Sequence, residues 1–521
     1  MAEEVKLSSR THPYYDDNIT NWSLYKDASK GGKDFIEDNL FTHRLEDSND
    51  FSDRKERGYY LNFCDMMPSI YNSYIFRDNI ERKPDDILDN FRKNVDGRNS
   101  NINEFIKQAG YWSSIYGVAH VIVDMPITSG KKVSRATVKK ENIYPYATLI
   151  HPTQLKDWSV DKNGEYNWVI IEYTYLDDLD PKVERDIQTH YKLITRDYWE
   201  ISDEEGNPVK FNDGSPNKGK HDFGIVPMIT LYNKDTGDDK IGESMLKDIV
   251  YVNIMILNWC SLIDEQLARN CFSQLVIPDR GEIASSVKGG SENPLVTVGS
   301  SSVFTFDGES RHPPAYISPD TNTIITIWEM VVDHIKEIYR LGGLISGTGD
   351  LYAPASGRSS QMGFLYTNAY LAEKARQYQA FENNLNKLVY LQSGKDIKDI
   401  ENVQYPTKFD LTALSEELDS NMKIMEKNFS PLLNKTIQKE LARKVVPLAI
   451  PSVRKEIENE IDSGDGIVQS KEASLMEANE DGLQNKLETK GNPNLNKLSN
   501  TFRSSSTNKK EKSSHRSEDK E

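Results

Sequence analysis

Residues Gly224–Pro278, GIVPMITLYNKDTGDDKIGESMLKDIVYVNIMILNWCSLIDEQLARNCFSQLVIP, decide how the rest of the chain is read. A short apolar strand enters a turn rich in Asp and Gly, a long segment follows, and a second strand-like run, SQLVIP, closes the stretch. In the long segment Met245, Ile249, Val252, Ile256, Trp259 and Ile263 recur at spacings of three and four, which over about six turns predicts one amphipathic helix beginning near Ile241. No catalytic motif interrupts it, so the stretch reads as architecture.

Downstream, Cys271 to Ser318 changes to short apolar runs separated by VKGGSENP and closed by RHPP, the pattern of a small β insertion between helices. Helical spacing resumes at Ile324, Trp328, Val331, Ile335 and Ile338, with Glu329, Asp333, Lys336, Glu337 and Arg340 on much of the other side. Gly342 and Gly343 end that helix, because glycine tolerates the left-handed backbone of a C-terminal cap. LISGTGDLYAPASG then forms a loop of about 14 residues, longer than most interhelical connections, before a long helix punctuated by Gly394. A strand-like segment, VQYPTKFDL, and further helices between Leu414 and Ile461 complete this half.

Upstream, Tyr60, Cys64, Met67, Tyr71 and Tyr74 mark an amphipathic helix within Phe51 to Phe76, expected to kink or break at Pro68. A second helix is expected near Ile102 to Tyr116, followed by the compact apolar strand VAHVIVDMP and strand-like runs at Tyr144 to Ile150, Tyr166 to Tyr175 and Tyr191 to Ile201. YWEISDEEGNPVKF reads as a hairpin turning at Glu205, Gly206 and Asn207. The fold class is therefore α+β.

The 521 residues exceed what one compact core usually serves, so two or more packed regions are expected. The net charge of −17 disfavours a surface that grips phosphate along its whole length. It does not exclude DNA as a passing partner. Residues Ser463 to Glu521 hold ten basic and ten acidic side chains, so the negative balance belongs to the preceding residues. This tail, poor in aromatic and branched side chains, is expected to be disordered. No apolar run reads as long enough for a bilayer, and the first residues lack the features of a secretory signal. Cys64, Cys260 and Cys271 show no paired spacing and read as small buried hydrophobes, and the nine histidines show no ligand pattern.

GSPNKGKH, from Gly214 to His221, has the glycine and lysine spacing of a P-loop but puts His221 where a hydroxyl must ligate magnesium. Gly347 and Gly349 lack the third glycine of a dinucleotide fingerprint. Acidic groups at Asp177, Asp178 and Asp180, or at Asp235, Asp238 and Asp239, are explained by turn chemistry. No catalytic residue, metal or cofactor is assigned.

The G-x-x-P strand at Gly224 and the I-G-x-S turn at Ile241 to Ser244 resemble the region of tailed double-stranded DNA bacteriophage portal proteins that leads into a tunnel-lining helix. WSSIYGVAHVIVD, DKIGESMLKDIVYVNIMILNW and ASGRSSQMGFLYTNAYLAEKA are similar to portal segments in the same order. The resemblance implies a ring subunit with an α+β wing over 1–240, a first stem helix over 241–270, a β-rich clip over 271–318 and a second stem helix over 319–341. A tunnel loop over 342–357, a wing helix and returning strand over 358–410, a helical C-terminal region over 411–462 and a disordered tail over 463–521 would follow. By position, Leu344, Ile345, Asp350, Leu351 and Tyr352 become tunnel-loop candidates, Lys336 and Arg340 possible DNA-facing stem residues, and Asp279, Arg280 and Glu282 clip residues for partner docking.

A portal would assemble as a homo-oligomer, a dodecameric ring at one capsid vertex, made in the host cytoplasm and carried into the virion. Double-stranded DNA would pass through it during packaging and ejection. Its partners would be the terminase large subunit, then head-tail adaptor proteins, with major capsid and scaffolding proteins at the wing. A metal-dependent nuclease built from dispersed acidic residues and a non-ring scaffold protein are the alternatives. The purified chain is expected to hydrolyse no ATP; turnover abolished by Lys220→Ala in a phosphate-release assay would overturn that expectation.

Overall fold

The computed structural model describes residues 5–44, 46–126, 144–177, 182, 186–211, 215–221, 223–270, 274–279, 303–307, 315–317, 322–344, 357–394, 403–407, 409, 421–427, 429–445 and 451–464. The chain is α+β and divides into two compact units, Met1–Asp410 and Leu411–Glu521.

In the first unit the helices α1 (Pro13–Lys30), α2 (Lys33–Asn39), α3 (Ser48–Arg57) and α4 (Phe63–Ile75) precede the two-residue strand β1 (Glu81–Arg82). Next come α5 (Asp86–Lys93), α6 (Ile102–Tyr116) and the strands β2 (Val118–Asp124) and β3 (Tyr146–Ile150). Strands β4 (Leu155–Val160), β5 (Tyr166–Asp177), β6 (Asp186–Thr195), β7 (Tyr198–Ser202) and β8 (Lys218–Lys220) form an antiparallel meander in that spatial order. The strand β9 (Met228–Tyr232) returns to pair with β2, giving the order β3-β2-β9. Helix α7 (Leu246–Asn270) leads to β10 (Gln274–Asp279), β11 (Val303–Asp307) and β12 (Ala315–Ile317), a small sheet in which β10 is central. Strand β10 runs parallel to β11 and antiparallel to β12. Helices α8 (Asn322–Leu341) and α9 (Gly357–Gln392) follow, and β13 (Val403–Gln404) pairs with β1. The second unit carries α10 (Pro431–Val445) and α11 (Pro451–Ser463), tied by Lys435 Nζ to the Asp462 carbonyl at 2.9 Å.

Strand β2 separates two apolar cores. Every residue from Val118 to Val123 is buried, which is why this strand reads as a continuous apolar run rather than an alternating one. Ile122 joins a cluster with Trp22, Trp158 and Ile249, whereas Val121 and Val123 join another with Phe105, Leu371 and Phe381. His120 sits in the same strand, its ring between Thr230 of β9 and Tyr166 of β5, and burial pushes its pKa down to about 3. A neutral, fully enclosed histidine here links the two sheets.

Helix α6 is defined at both ends. Asn101 and Glu104 make a capping box, and Gly117 closes the helix in the left-handed conformation at φ 92°. Gly117 also touches Gly242 backbone to backbone. A Cβ on Gly117 would lie 2.1 Å from the Gly242 carbonyl oxygen, and one on Gly242 would lie 2.2 Å from the Gly117 oxygen. Around this contact Asn233 N donates to Gly117 O at 2.8 Å and Met245 N donates to Ser114 O at 2.9 Å. Ser244 Oγ donates to Ile115 O and accepts from Leu246 N, so one hydroxyl ties α6 to the start of α7. Within the charged interior, Glu382 is fully buried and accepts two bonds from Arg82 and one from Tyr405.

Several expectations need correction. Pro68 does not end α4, which runs through it from Phe63 to Ile75; the break lies between Arg57 and Phe63, where Asn253 Nδ2 holds the Leu61 carbonyl and Asn253 Oδ1 accepts from Phe63 N. The run Tyr191 to Ile201 is two strands, β6 and β7, joined at Arg196 and Asp197. Helix α7 begins at Leu246 rather than Ile241, because residues 241–245 are used in the glycine contact. One helix segment, Leu246–Ala268, is long and apolar enough to cross a membrane by length and composition, contrary to the sequence expectation. Some 61% of its most apolar window is buried inside the fold, so packing accounts for its apolarity. The expected hairpin has its turn at Asp203–Asn207, with Gly206 N donating to Asp203 O at 3.1 Å, but the returning side makes only a bridge, Ser202 to Pro208. Residues 465–521, expected to be disordered, lie outside the described residues.

Gly242→Ala should lower unfolding stability by about 2–3 kcal/mol in chemical denaturation, because neither backbone can withdraw without breaking the bonds around it. An unchanged midpoint would overturn this account of the contact.

Candidate functional site

Helix α7 buries polar residues, each with a partner from elsewhere in the fold. Asn253 Oδ1 accepts from Tyr60 Oη at 3.0 Å and from Phe63 N at 3.1 Å, while its Nδ2 donates to Leu61 O. Asn258 accepts from Phe41 N at 2.7 Å and donates to Asn39 O at 3.0 Å. Ser261 accepts from the buried guanidinium of Arg54, which is also paired with Glu46 at 2.7 Å. These side chains clamp the middle of α7 to α3 and to the connections between α2, α3 and α4, and fix its rotation. An unpartnered amide in such a place would cost stability, and both amides here are partnered.

Helix α8 returns along α7, with Val331 and Ile338 fully buried and Tyr339 set edge-on against Phe63. It also leaves apolar residues exposed. Ile325 is 55% exposed and Trp328 49%, and Met330 is exposed too, as are Tyr251, Met255 and Leu267 of α7. The charged residues predicted to meet DNA are neutralised within their own helix. Lys336 pairs with Asp333 at 2.9 Å, and Arg340 makes a two-pronged pair with Glu337 at 2.7 and 2.5 Å. The Arg340 hydrogen bond holds the Glu337 carboxyl below its usual range, and the same bond raises Arg340. This stripe balances its charge and so is poorly suited to gripping phosphate.

At the end of α8, Gly343 N donates to Arg340 O at 3.1 Å and Leu344 N donates to Tyr339 O at 2.9 Å, with Gly343 at φ 75°. That is a Schellman cap, and Leu344 is its apolar closing residue. Leu344, named as a loop candidate, is half-buried against both apolar clusters. Ile345, Asp350, Leu351 and Tyr352 lie outside the described residues. Asp279 ends β10 opposite Asp307 of β11, and Arg280 and Glu282 also lie outside the described residues.

Two hydroxyls hold the capped turn in place. Tyr71 Oη of α4 donates to Gly342 O, and Thr367 Oγ1 of α9 donates to Gly343 O at 2.9 Å. The amino-acid pattern marks Tyr71 only as a member of an apolar stripe and singles out neither Thr367 nor Lys374. The available signal was a lysine placed among Thr367, Leu371, Ala375 and Tyr378 on one side of α9.

The P-loop-like string is not one: Lys218–Lys220 form edge strand β8 against β7, and Gly219 lies under the Trp199 indole. Asp235 Oδ1 accepts from Gly237 N at 2.9 Å, a turn contact. Among the described residues no group of three His, Cys, Asp or Glu side chains could hold a metal ion. Cys64 and Cys260 are buried free thiols, and Cys271 lies outside the described residues.

No family model matches the chain, and no curated protein matches it by sequence. Solved structures with similarity include the neck of a native GTA particle computed with C12 symmetry, at 8% identity and TM-score 0.36, covering 70% of this chain and 84% of that one. The neck of an empty GTA particle computed with C6 symmetry aligns at 9% identity and TM-score 0.37 over 73% and 90% of the two chains. The virion of a native gene transfer agent particle aligns at 9% identity and TM-score 0.38 over 78% and 96%. Likenesses this faint leave the functional reading to the chain's own elements.

Gly343→Ala should cost about 1–2 kcal/mol, since an L side chain is strained at this φ and its Cβ would press on Tyr71 Oη. Thermal unfolding at fixed pH checks this; an unshifted transition would remove the cap from the account.

Proposed function

We propose that this chain is a portal-type subunit that closes into a ring around double-stranded DNA at one vertex of a capsid. The observation that carries the reading is the helical hairpin of α7 and α8, which holds a small sheet at its tip and leaves apolar side chains on its outside. In this reading the α+β elements before α7, with α9 and β13, form the wing. Helices α7 and α8 form the stem, strands β10 to β12 lie in the clip, and the residues after the α8 cap lead into the tunnel loop. The portal-like motifs of the sequence fall at the corresponding junctions: the G-x-x-P strand at β9, the I-G-x-S turn before α7 and the S-G segment at the start of α9.

Physically, a ring suits a helix hairpin that keeps apolar residues uncovered. Val331 and Ile338 bury against their own subunit, and Ile325 and Trp328, exposed nearer the start of α8, would bury against a neighbour. Head-to-tail contact of that kind closes when the rotation per copy divides the circle. The self-paired charges of α8 and the net charge of −17 favour a wall past which DNA moves over one that binds it tightly. The loop residues Ile345, Asp350, Leu351 and Tyr352 would meet the duplex, and Asp279, Arg280 and Glu282 would take part in docking the terminase and then the head-tail adaptors. Capsid and scaffolding proteins would meet the wing.

Electron microscopy of the purified chain should give end-on averages of a ring of about twelve copies with a central channel. Ile325→Asp combined with Trp328→Asp should leave circular dichroism unchanged and abolish the rings. A compact monomer at every salt and protein concentration tried would sink the ring reading. Intact rings in the double variant would move the subunit contact elsewhere.

A further inference from the structure

Lys374 is 3% exposed on α9, and its Nζ donates to Ser114 Oγ of α6 at 2.8 Å. The amine stands over the rings of Tyr71 and Tyr370, 5.7 and 5.8 Å from their centroids. Among the described residues it has no carboxylate partner. The titratable side chains around it are Tyr71 from α4 and Tyr370 and Tyr378 from α9. From α6 comes Ser114, whose carbonyl is already engaged by Met245 N at the start of α7. Glu373 and Arg376 lie on the exposed side of α9. Burial alone pulls the Lys374 amine down to about 7. An ammonium has three N–H donors, and among the described residues one acceptor, Ser114 Oγ, takes a bond from it.

The ring under this amine is also the ring that holds the turn. Tyr71 packs against Tyr370 at 5.0 Å and donates to Gly342 O, while Thr367, two turns before Lys374 on the same side of α9, donates to Gly343 O. We propose that Lys374 is a protonation switch for the α8–α9 junction: the neutral amine leaves the Tyr71 and Thr367 bonds to the turn intact, and the ammonium, short of acceptors, draws in water and those groups and loosens the turn. The inference stands on this junction and does not depend on ring formation.

An ordinary lysine titrates near 10.5, so between about pH 7 and that value the folded state binds fewer protons than the unfolded chain. Stability therefore rises with pH across that window. The cost of enclosing the charge is complete below it.

The test is hydrogen exchange by mass spectrometry on the full chain at about pH 6 and about pH 8.5, with intrinsic rates corrected. Amides of residues 342–344 should open about thirtyfold more readily at the lower pH, the ratio of the charged fractions at the two pH values for a transition near 7. Lys374→Met should abolish the difference, and Ser114→Ala, which removes the acceptor, should move the transition to lower pH. Equal protection at both pH values in the parent chain would overturn the switch, and so would a difference that survives in Lys374→Met. Should Lys374→Met fail to fold, an unmoved transition in Ser114→Ala would overturn it equally.

Discussion

The close approach of Gly117 and Gly242 is the contact on which the first unit depends. Two peptide groups touch where any Cβ would collide with a carbonyl oxygen, and α6, β2, β9 and the start of α7 all meet there. Ser114 adds a second tie: its carbonyl accepts from Met245 N and its hydroxyl accepts from Lys374, so α7 and α9 are referenced to the same turn of α6. The entry angle of the long helix is set by backbone geometry. Side-chain packing then only has to preserve it.

Polar groups rather than apolar ones fix the rotation of α7. An apolar stripe specifies a buried side loosely, since neighbouring rotations bury similar areas. Asn253, Asn258 and Ser261 demand particular partners, Leu61, Phe63, Phe41, Asn39 and Arg54, and a rotation of one residue would orphan them. With α7 held this way, α8 can pack on one side and leave Ile325 and Trp328 outward. The same logic governs the junction after α8, where two hydroxyls from other helices hold consecutive carbonyls of a glycine turn.

Much of this architecture was legible in the amino-acid order. The spacing of apolar residues located α6 residue for residue and both long helices that bracket the small sheet, and Gly343 takes the left-handed cap its position implied. The valine and isoleucine run of β2 reported a strand buried on both sides. Local pattern misplaced the break near Pro68 and the start of α7, because both were decided by hydrogen bonds to residues distant in sequence. It also passed over Thr367 and Lys374: a lysine within an apolar stripe is ordinarily a surface residue, and its enclosure becomes visible only once α4 and α6 cover it.

The sequence by itself determined periodicity, the order of strands and helices, the glycine positions and the charge balance, since these depend on neighbours a few residues apart. Tertiary structure alone decided that Gly117 meets Gly242, that Asn253 bridges to Leu61 and Phe63, and that Tyr71 lies between the Lys374 amine and the Gly342 carbonyl. Each of those pairs is separated by more than a hundred residues. Which of the many possible long-range partners a group finds is set by the packing of the whole unit, and no local pattern records it.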